Sequence, residues 1–298
     1  RSLKRPPLST RVTAPRTLPT ALVDHARQFV ASRLTPVEAR PASSVLLLRD
    51  SGAGLQVYLL RRRTSMAFAG GMHAFPGGAV DPRDGDDEGL GWLGRPPSWW
   101  ADRLATSEAA ARGFVCAAVR ETFEESGVLL VTGDDGVPAP PAGSDWEADR
   151  RALVERRLAL SDLLDRRGLA VRSDVLAPWA HWVTPRFEPR RYDTWFFLAA
   201  LPSGQRARDL SGEADQVAWM RPVDAMSAAE KGEVAMLPPT WSVLEDLATY
   251  GTVAEALEAA EARALATVTP GWVDDGGELR LLLPGDPGYP GDDPGEQS

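Results

Sequence analysis

The stretch from Ser107 to Gly127 constrains this chain more than any other. A serine can satisfy the first free N–H groups of a helix, and a glycine can take the left-handed turn that ends one. Between them runs Phe114-Val115-Cys116-Ala117-Ala118-Val119, apolar throughout. The pattern predicts a helix sunk into a core. Its last turns, Arg120-Glu121-Thr122-Phe123-Glu124-Glu125-Ser126, carry three carboxylates. At helical spacing, Glu121, Glu124 and Glu125 project within roughly one third of the circumference. Negative charge at a helix C-terminus is unfavourable. It is tolerated when solvated, or when a hard dication sits between the carboxylates. From this segment alone, a solvated acidic helix end and a metal site stand about level.

The flanking segments predict an α/β fold. Residues 42–49 and 55–61 read as two strands of a hairpin around a turn at 50–54. Further strands are expected at 128–131, 179–183, 192–201 and 217–219. Helices are expected at 21–34, 147–167, 223–231 and 240–267. Residues 1–36 read as an extended arm and a short helix, 37–268 as one domain, and 269–298 as a Gly/Pro/Asp-rich tail. The Asp, Gly, Pro and Trp content of residues 82–106 suggests an inserted surface loop concerned with substrate selection.

Composition removes several function classes. Lys plus Arg is 33 and Asp plus Glu is 42, a formal charge of −9. An acidic chain lacks the basic footprint of a nucleic-acid partner and the polybasic surface of a membrane binder. No uncharged apolar run approaches the ~18 residues of a membrane span. The single cysteine, Cys116, forbids an intrachain disulfide and fits a reducing, cytoplasmic setting. Its apolar surroundings mark a buried structural thiol.

Upstream of the acidic helix lies Phe75-Pro76-Gly77-Gly78. Together these elements resemble the Nudix hydrolase superfamily, whose box reads G-x5-E-x7-R-E-U-x-E-E-x-G-U with U apolar. Gly78 would open the box, and Arg120, Glu121, Glu124, Glu125, Gly127 and Val128 match its second half. From Gly78 to Arg120 is 120 − 78 = 42 positions where the box expects 14, an insertion of 42 − 14 = 28 residues. Counted back from Arg120, the first box glutamate is replaced by Arg112, and the apolar position after the Arg-Glu pair is Thr122. Arg120 is therefore expected to pair with an acid outside its own helix, near Asp81 or at Glu213. The hairpin, residues 59–64, 75–81, 182–185, 190–194 and 237–240 extend the resemblance to the peroxisomal-type coenzyme A diphosphatases and their bacterial relatives.

The resemblance implies an α/β/α sandwich with a mixed sheet, and extra helices follow it here. It also implies Mg2+ or Mn2+, and attack of water on a diphosphate in a small nucleotide substrate. Coenzyme A or its acyl derivative is favoured. ADP-ribose, a nucleotide sugar or a dinucleotide is the alternative, as is a silent nucleotide-binding module. Glu124, Glu125, Glu121 and the Gly78 carbonyl are the expected ligands. Glu121, Glu125 or the loop acid Glu213 is the expected general base. Arg63, His73, Arg190 and Arg191 are candidates for holding substrate, against ordinary structural roles for His73 and the arginine pair. Leucines and alanines at helical spacing over 240–265 suit packing or a homodimer surface.

Overall fold

The computed structural model describes residues 20–32, 34–62, 71–86, 90–133, 143–208, 214–275 and 278–291. In chain order the elements are α1 (Thr20–Ala31), β1 (Arg40–Ser51), β2 (Gly54–Arg62), β3 (His73–Ala74), β4 (Gly77–Ala79), β5 (Gly91–Leu93), α2 (Pro97–Leu104) and α3 (Glu108–Ser126). There follow β6 (Val131–Gly133), α4 (Ser144–Val154), α5 (Leu160–Arg167), β7 (Leu169–Arg172), β8 (Leu176–Val183), β9 (Tyr192–Ala200) and β10 (Ala214–Met220). The chain ends through α6 (Pro222–Glu230), α7 (Pro238–Leu247), α8 (Val253–Glu261), β11 (Thr267–Val268), β12 (Gly271–Asp275) and β13 (Glu278–Leu282). Among the described residues no helix is long and apolar enough to cross a membrane.

The chain divides into two compact units. The larger comprises residues 41–180 and 194–265. Its main sheet runs β10-β2-β1-β9-β8, with β3 paired to β2 and β4 to β1. The predicted hairpin forms, with Ser51 opposite Gly54. Four consecutive residues of β1, Val45, Leu46, Leu47 and Leu48, are all fully buried. Side chains alternate faces along a strand, so both faces of this sheet are covered, as in a layered α/β fold. On one face Val45 and Leu47 join Trp195, Phe197, Trp100, Phe114, Phe123 and Leu163 in a single core. A second sheet, β5-β7-β6, mixes a parallel and an antiparallel pair. The smaller unit comprises residues 1–40, 181–193 and 266–298. In it Phe187 is buried against Ala26 and Leu281, with Val23, Phe29 and Trp272 around them. β12 and β13 form its antiparallel hairpin.

Several elements differ from the sequence reading for local reasons. The helix expected over 147–167 is two, because Arg156 turns left-handed at φ 56°. The helix expected over 240–267 breaks before Thr252, whose side chain caps α8. No strand covers 128–130: the Gln205 side chain takes both the N–H and the carbonyl of Leu129 at 2.8 Å.

The inserted segment contradicts the surface-loop expectation. It contains α2, and Trp100 on that helix is 0% exposed, within the core beside Phe197. Phe/Trp→Ala changes in cores cost about 3–5 kcal/mol. The buried indole N–H of Trp100 has no partner among the described residues, so Trp100→Ala is expected at the lower end of that range. Chemical denaturation reads it out, and a loss below ~1 kcal/mol would restore the surface-loop reading.

Candidate active site

α3 is built as its sequence requires. The Ser107 side chain accepts from the Ala110 N–H, and Gly127 at φ 73° closes the helix by donating to the Phe123 carbonyl. The helix is fastened to the sheet by Ser43 of β1, whose hydroxyl donates to the Phe114 carbonyl at 2.7 Å. β4 lies antiparallel to β1, with Ser43 opposite Gly78 and Ser44 opposite Gly77. This register lays the two glycines against the acidic end of α3. The Gly77 N–H donates to Oε2 of Glu125 at 2.8 Å. The Glu121 carboxylate lies directly over Gly78, where a Cβ would meet its Oε1 at 2.5 Å. A side chain at 78 would displace this carboxylate, whereas one at 77 would collide with the β1 backbone, 2.5 Å from the Ser43 carbonyl.

Arg120 is the hub of the site. Its Nη1 donates to Glu121 Oε1 at 2.7 Å and to Glu124 Oε1 at 3.1 Å. Its Nη2 donates to the Ala79 carbonyl and to Asp84 Oδ2, both at 2.9 Å, and its Nε reaches Asp84 Oδ1 at 3.1 Å. The expectation of a partner acid outside the helix, near Asp81, is met by Asp84. This residue stands in the 3-10 turn Pro82–Gly85, and its other bond comes from the Asp81 N–H at 2.8 Å. Asp84 is 3% exposed.

The placement of Arg112 is corrected. Counted forward from Gly78, the first box acid falls six positions on, and 84 − 78 = 6. Asp84 therefore occupies the glutamate position one methylene short, and the insertion follows it. Arg112 lies inside α3, eight residues and about 12 Å before Arg120. It donates instead to the Gly85 carbonyl at 3.0 Å. The forward count would have found Asp84 in the sequence.

Electrostatics set the character of the site. Burial raises the Glu121 carboxyl well above the usual carboxylate range, and the Glu124 charge adds to this against the pull of Arg120. Burial likewise raises Glu124 and Asp84, in each case partly offset by Arg120. Burial alone would lower the Arg120 pKa; its acidic neighbours more than reverse that. Three carboxylates, Asp84, Glu121 and Glu124, thus share the Arg120 guanidinium in a poorly solvated place, with Glu125 beside them on the Gly77 N–H. Hard dications take such oxygen donors, and positive charge is what this cluster lacks. The residues fit a hard dication on that ground. Among the described residues no group of three His, Cys, Asp or Glu side chains is disposed to hold a metal ion by itself. A dication here would therefore be completed by backbone, water or substrate oxygen.

The remaining sequence candidates are placed as follows. Arg63 and Glu213 lie outside the described residues. His73 is 7% exposed on β3, opposite Arg61, and its main-chain N–H donates to the Ala235 carbonyl at 2.6 Å. Arg190 and Arg191 belong to the smaller unit. There Arg191 donates to the carbonyls of Thr184, at 3.1 Å, and Val37, at 2.8 Å, as a structural arginine does; Arg190 is exposed. Cys116 is 1% exposed, and burial raises its pKa beyond any reactive range.

Comparison with known proteins agrees with this geometry. A family profile described as the NUDT19 Nudix domain matches residues 94–247. The chain is 29% identical over 313 aligned positions to the acyl-coenzyme A diphosphatase NUDT19 of Gallus gallus, covering 85% of this chain and 80% of that one. It is 27% identical to the protein of the same name from Homo sapiens, covering 68% of this chain and 63% of that one. Among solved structures, a Nudix hydrolase from Alicyclobacillus acidocaldarius is 28% identical at a TM-score of 0.63, covering 74% of this chain and 96% of that one.

Proposed function

The chain belongs to the NUDT19 Nudix family and is a diphosphatase of the hydrolase class, and from that premise we propose that it hydrolyses the diphosphate of coenzyme A or an acyl-coenzyme A with the help of Mg2+ or Mn2+. The observation that carries this reading is the cluster of Glu121, Glu124 and Glu125 against Gly77 and Gly78, with Arg120 bridging Glu121 and Glu124. Relatives of similar sequence carry the acyl-coenzyme A diphosphatase name, which supports the substrate class.

Glu124, Glu125, Glu121 and the Gly78 carbonyl are the proposed ligands. A dication held there would offset the charge of the substrate diphosphate and make a bound water more acidic. The chain's own residues do the rest. The Gly77 N–H fixes one oxygen of Glu125. Arg120 ties Glu121 and Glu124 to Asp84 and to the Ala79 carbonyl, so the carboxylates keep their places as charge enters. Glu121, whose carboxylate lies over Gly78 beside Glu124 and Glu125, is proposed either as a ligand or, off the metal, as the general base that takes a proton from water. Glu125 and Glu213 remain the other proposed proton acceptors. Arg63, His73, Arg190 and Arg191 are proposed to meet the substrate. A cytoplasmic site of action and a homodimer through the 240–265 region are proposed from the sequence.

The test is a screen of the purified protein against coenzyme A, an acyl-coenzyme A, ADP-ribose, NADH and nucleotide sugars, with Mg2+ or Mn2+ and with chelator. Products are identified by mass. The expected result is metal-dependent conversion of coenzyme A to an adenosine diphosphate and a phosphopantetheine. Preferential cleavage of ADP-ribose or a nucleotide sugar would overturn the substrate, and no metal-dependent cleavage of any of them would overturn the site.

A further inference from the structure

The end of α3 is held from outside by an arginine that no motif contains. Arg150 of α4 is 5% exposed. Its Nη1 donates to the main-chain carbonyl of Glu124 at 2.5 Å. Its Nε and Nη2 grip both oxygens of Glu147, one turn earlier, at 3.0 and 2.7 Å. The last four carbonyls of a helix have no partner within it. Here the Phe123 carbonyl is taken by the Gly127 N–H, that of Ser126 by the Arg208 N–H, and that of Glu124 by Arg150. α4 also places Trp146 edge-on against Phe123, with ring centroids 6.1 Å apart. The turn that bears Glu124 and Glu125 is thus clamped at the residue whose side chain faces the site.

We infer that Arg150, oriented by Glu147, is a positioning residue for the metal-binding glutamates. Two requirements meet in it. The end of α3 carries three carboxylates beside the negative pole of the helix, and a cation at that pole relieves both. A dication site also needs its ligands held to within a few tenths of an ångström, and the partners behind the ligands supply this. Arg150 does so through the main-chain carbonyl of Glu124 rather than through its carboxylate. Glu147 fixes the fork and neutralises it where it is buried. The inference rests on the metal role proposed for Glu124.

Partners behind metal ligands typically cost ~10–100-fold in metal affinity when removed. The test is direct Mn2+ binding to the full-length protein without substrate, followed by electron paramagnetic resonance or calorimetry, alongside the melting temperature without metal. Glu124→Gln is the control for the underlying reading. Arg150→Met and Glu147→Gln are the probes; the second keeps the arginine and guards against a failure of the first to fold. Arg150→Lys is the conservative variant. The expected result is a rise of about tenfold or more in the Mn2+ dissociation constant for Arg150→Met, a smaller rise for Glu147→Gln and partial recovery for Arg150→Lys. If Glu124→Gln weakens Mn2+ binding but folded Arg150→Met or Glu147→Gln binds as the wild type does, the clamp is merely structural and the inference falls. If Glu124→Gln itself leaves Mn2+ binding unchanged, the metal site falls, and the inference with it.

Discussion

Glu124→Gln and Glu125→Gln are each expected to lower turnover by about two orders of magnitude or more while leaving the fold intact. Glutamine keeps the shape and one oxygen but removes the charge that a dication requires, and bound metal supplies several kcal/mol of charge stabilisation to such reactions. Both carboxylates are costly to bury, at 9% and 7% exposure, so their neutral isosteres should not weaken the folded state. Glu125→Gln also keeps an oxygen for the Gly77 N–H. Steady-state rates at saturating metal, beside a melting curve, separate the two effects. Normal metal-dependent turnover in both variants would remove this helix from the chemistry.

Asp84→Asn is expected to lower stability and metal affinity together. It removes the charge that anchors Arg120 and that is shielded from solvent. Losing one partner of a buried ion pair costs about 3–5 kcal/mol. The lower end applies here, because Glu121 and Glu124 still face the guanidinium. For a unit of this size that is a fall of roughly 6–12 °C in melting temperature. Freed from Asp84, Arg120 would sit wholly on Glu121 and Glu124 and compete with the dication, so half-maximal activity should need more metal. Asp84→Glu, which restores the family's longer acid, is expected to recover most of both losses. A melting temperature within a degree of wild type for Asp84→Asn would show that Arg120 does not depend on this pair.

What could be read in the sequence follows from the range of the interactions concerned. The hairpin, the capped helix α3 and the three glutamates are local patterns, written in residues a few positions apart. Asp84 was legible too, six positions after Gly78, but a count taken backward across the insertion reached Arg112 instead. Arg150 was not legible. Nothing about Glu147-Ala148-Asp149-Arg150 indicates that its guanidinium will meet the carbonyl of Glu124, because that contact is made by tertiary packing of α4 on α3. The break at Arg156 escaped for a related reason, because helical spacing of leucines continues across it. The break before Thr252 was written locally, in Gly251 and the Thr252–Glu255 capping box, and was hidden by the apolar spacing on either side. Trp100 lay in a Gly/Pro/Asp-rich stretch that composition marks as surface, yet one short helix there carries it into the core.

That same stretch makes the site a question of loop closure. Asp84 and Arg120 are in contact although 120 − 84 − 1 = 35 residues separate them, where seven would suffice for the family's box. Closing thirty-five residues rather than seven costs about 1.4 kcal/mol of chain entropy, since the penalty grows only with the logarithm of length. Burying one large apolar side chain returns about 1.5–3 kcal/mol, and the segment brings Trp100 for that purpose. The burial of Trp100 is thus of the same size as the added closure penalty, separate from the cost of ordering the segment's own backbone. The two ends of the insertion are pinned by the Asp84–Arg120 pair and by the start of α3. The segment between them is held in turn by Trp100 and Leu104 in the core and by β5 on β7, so its anchors are distinct from the carboxylates.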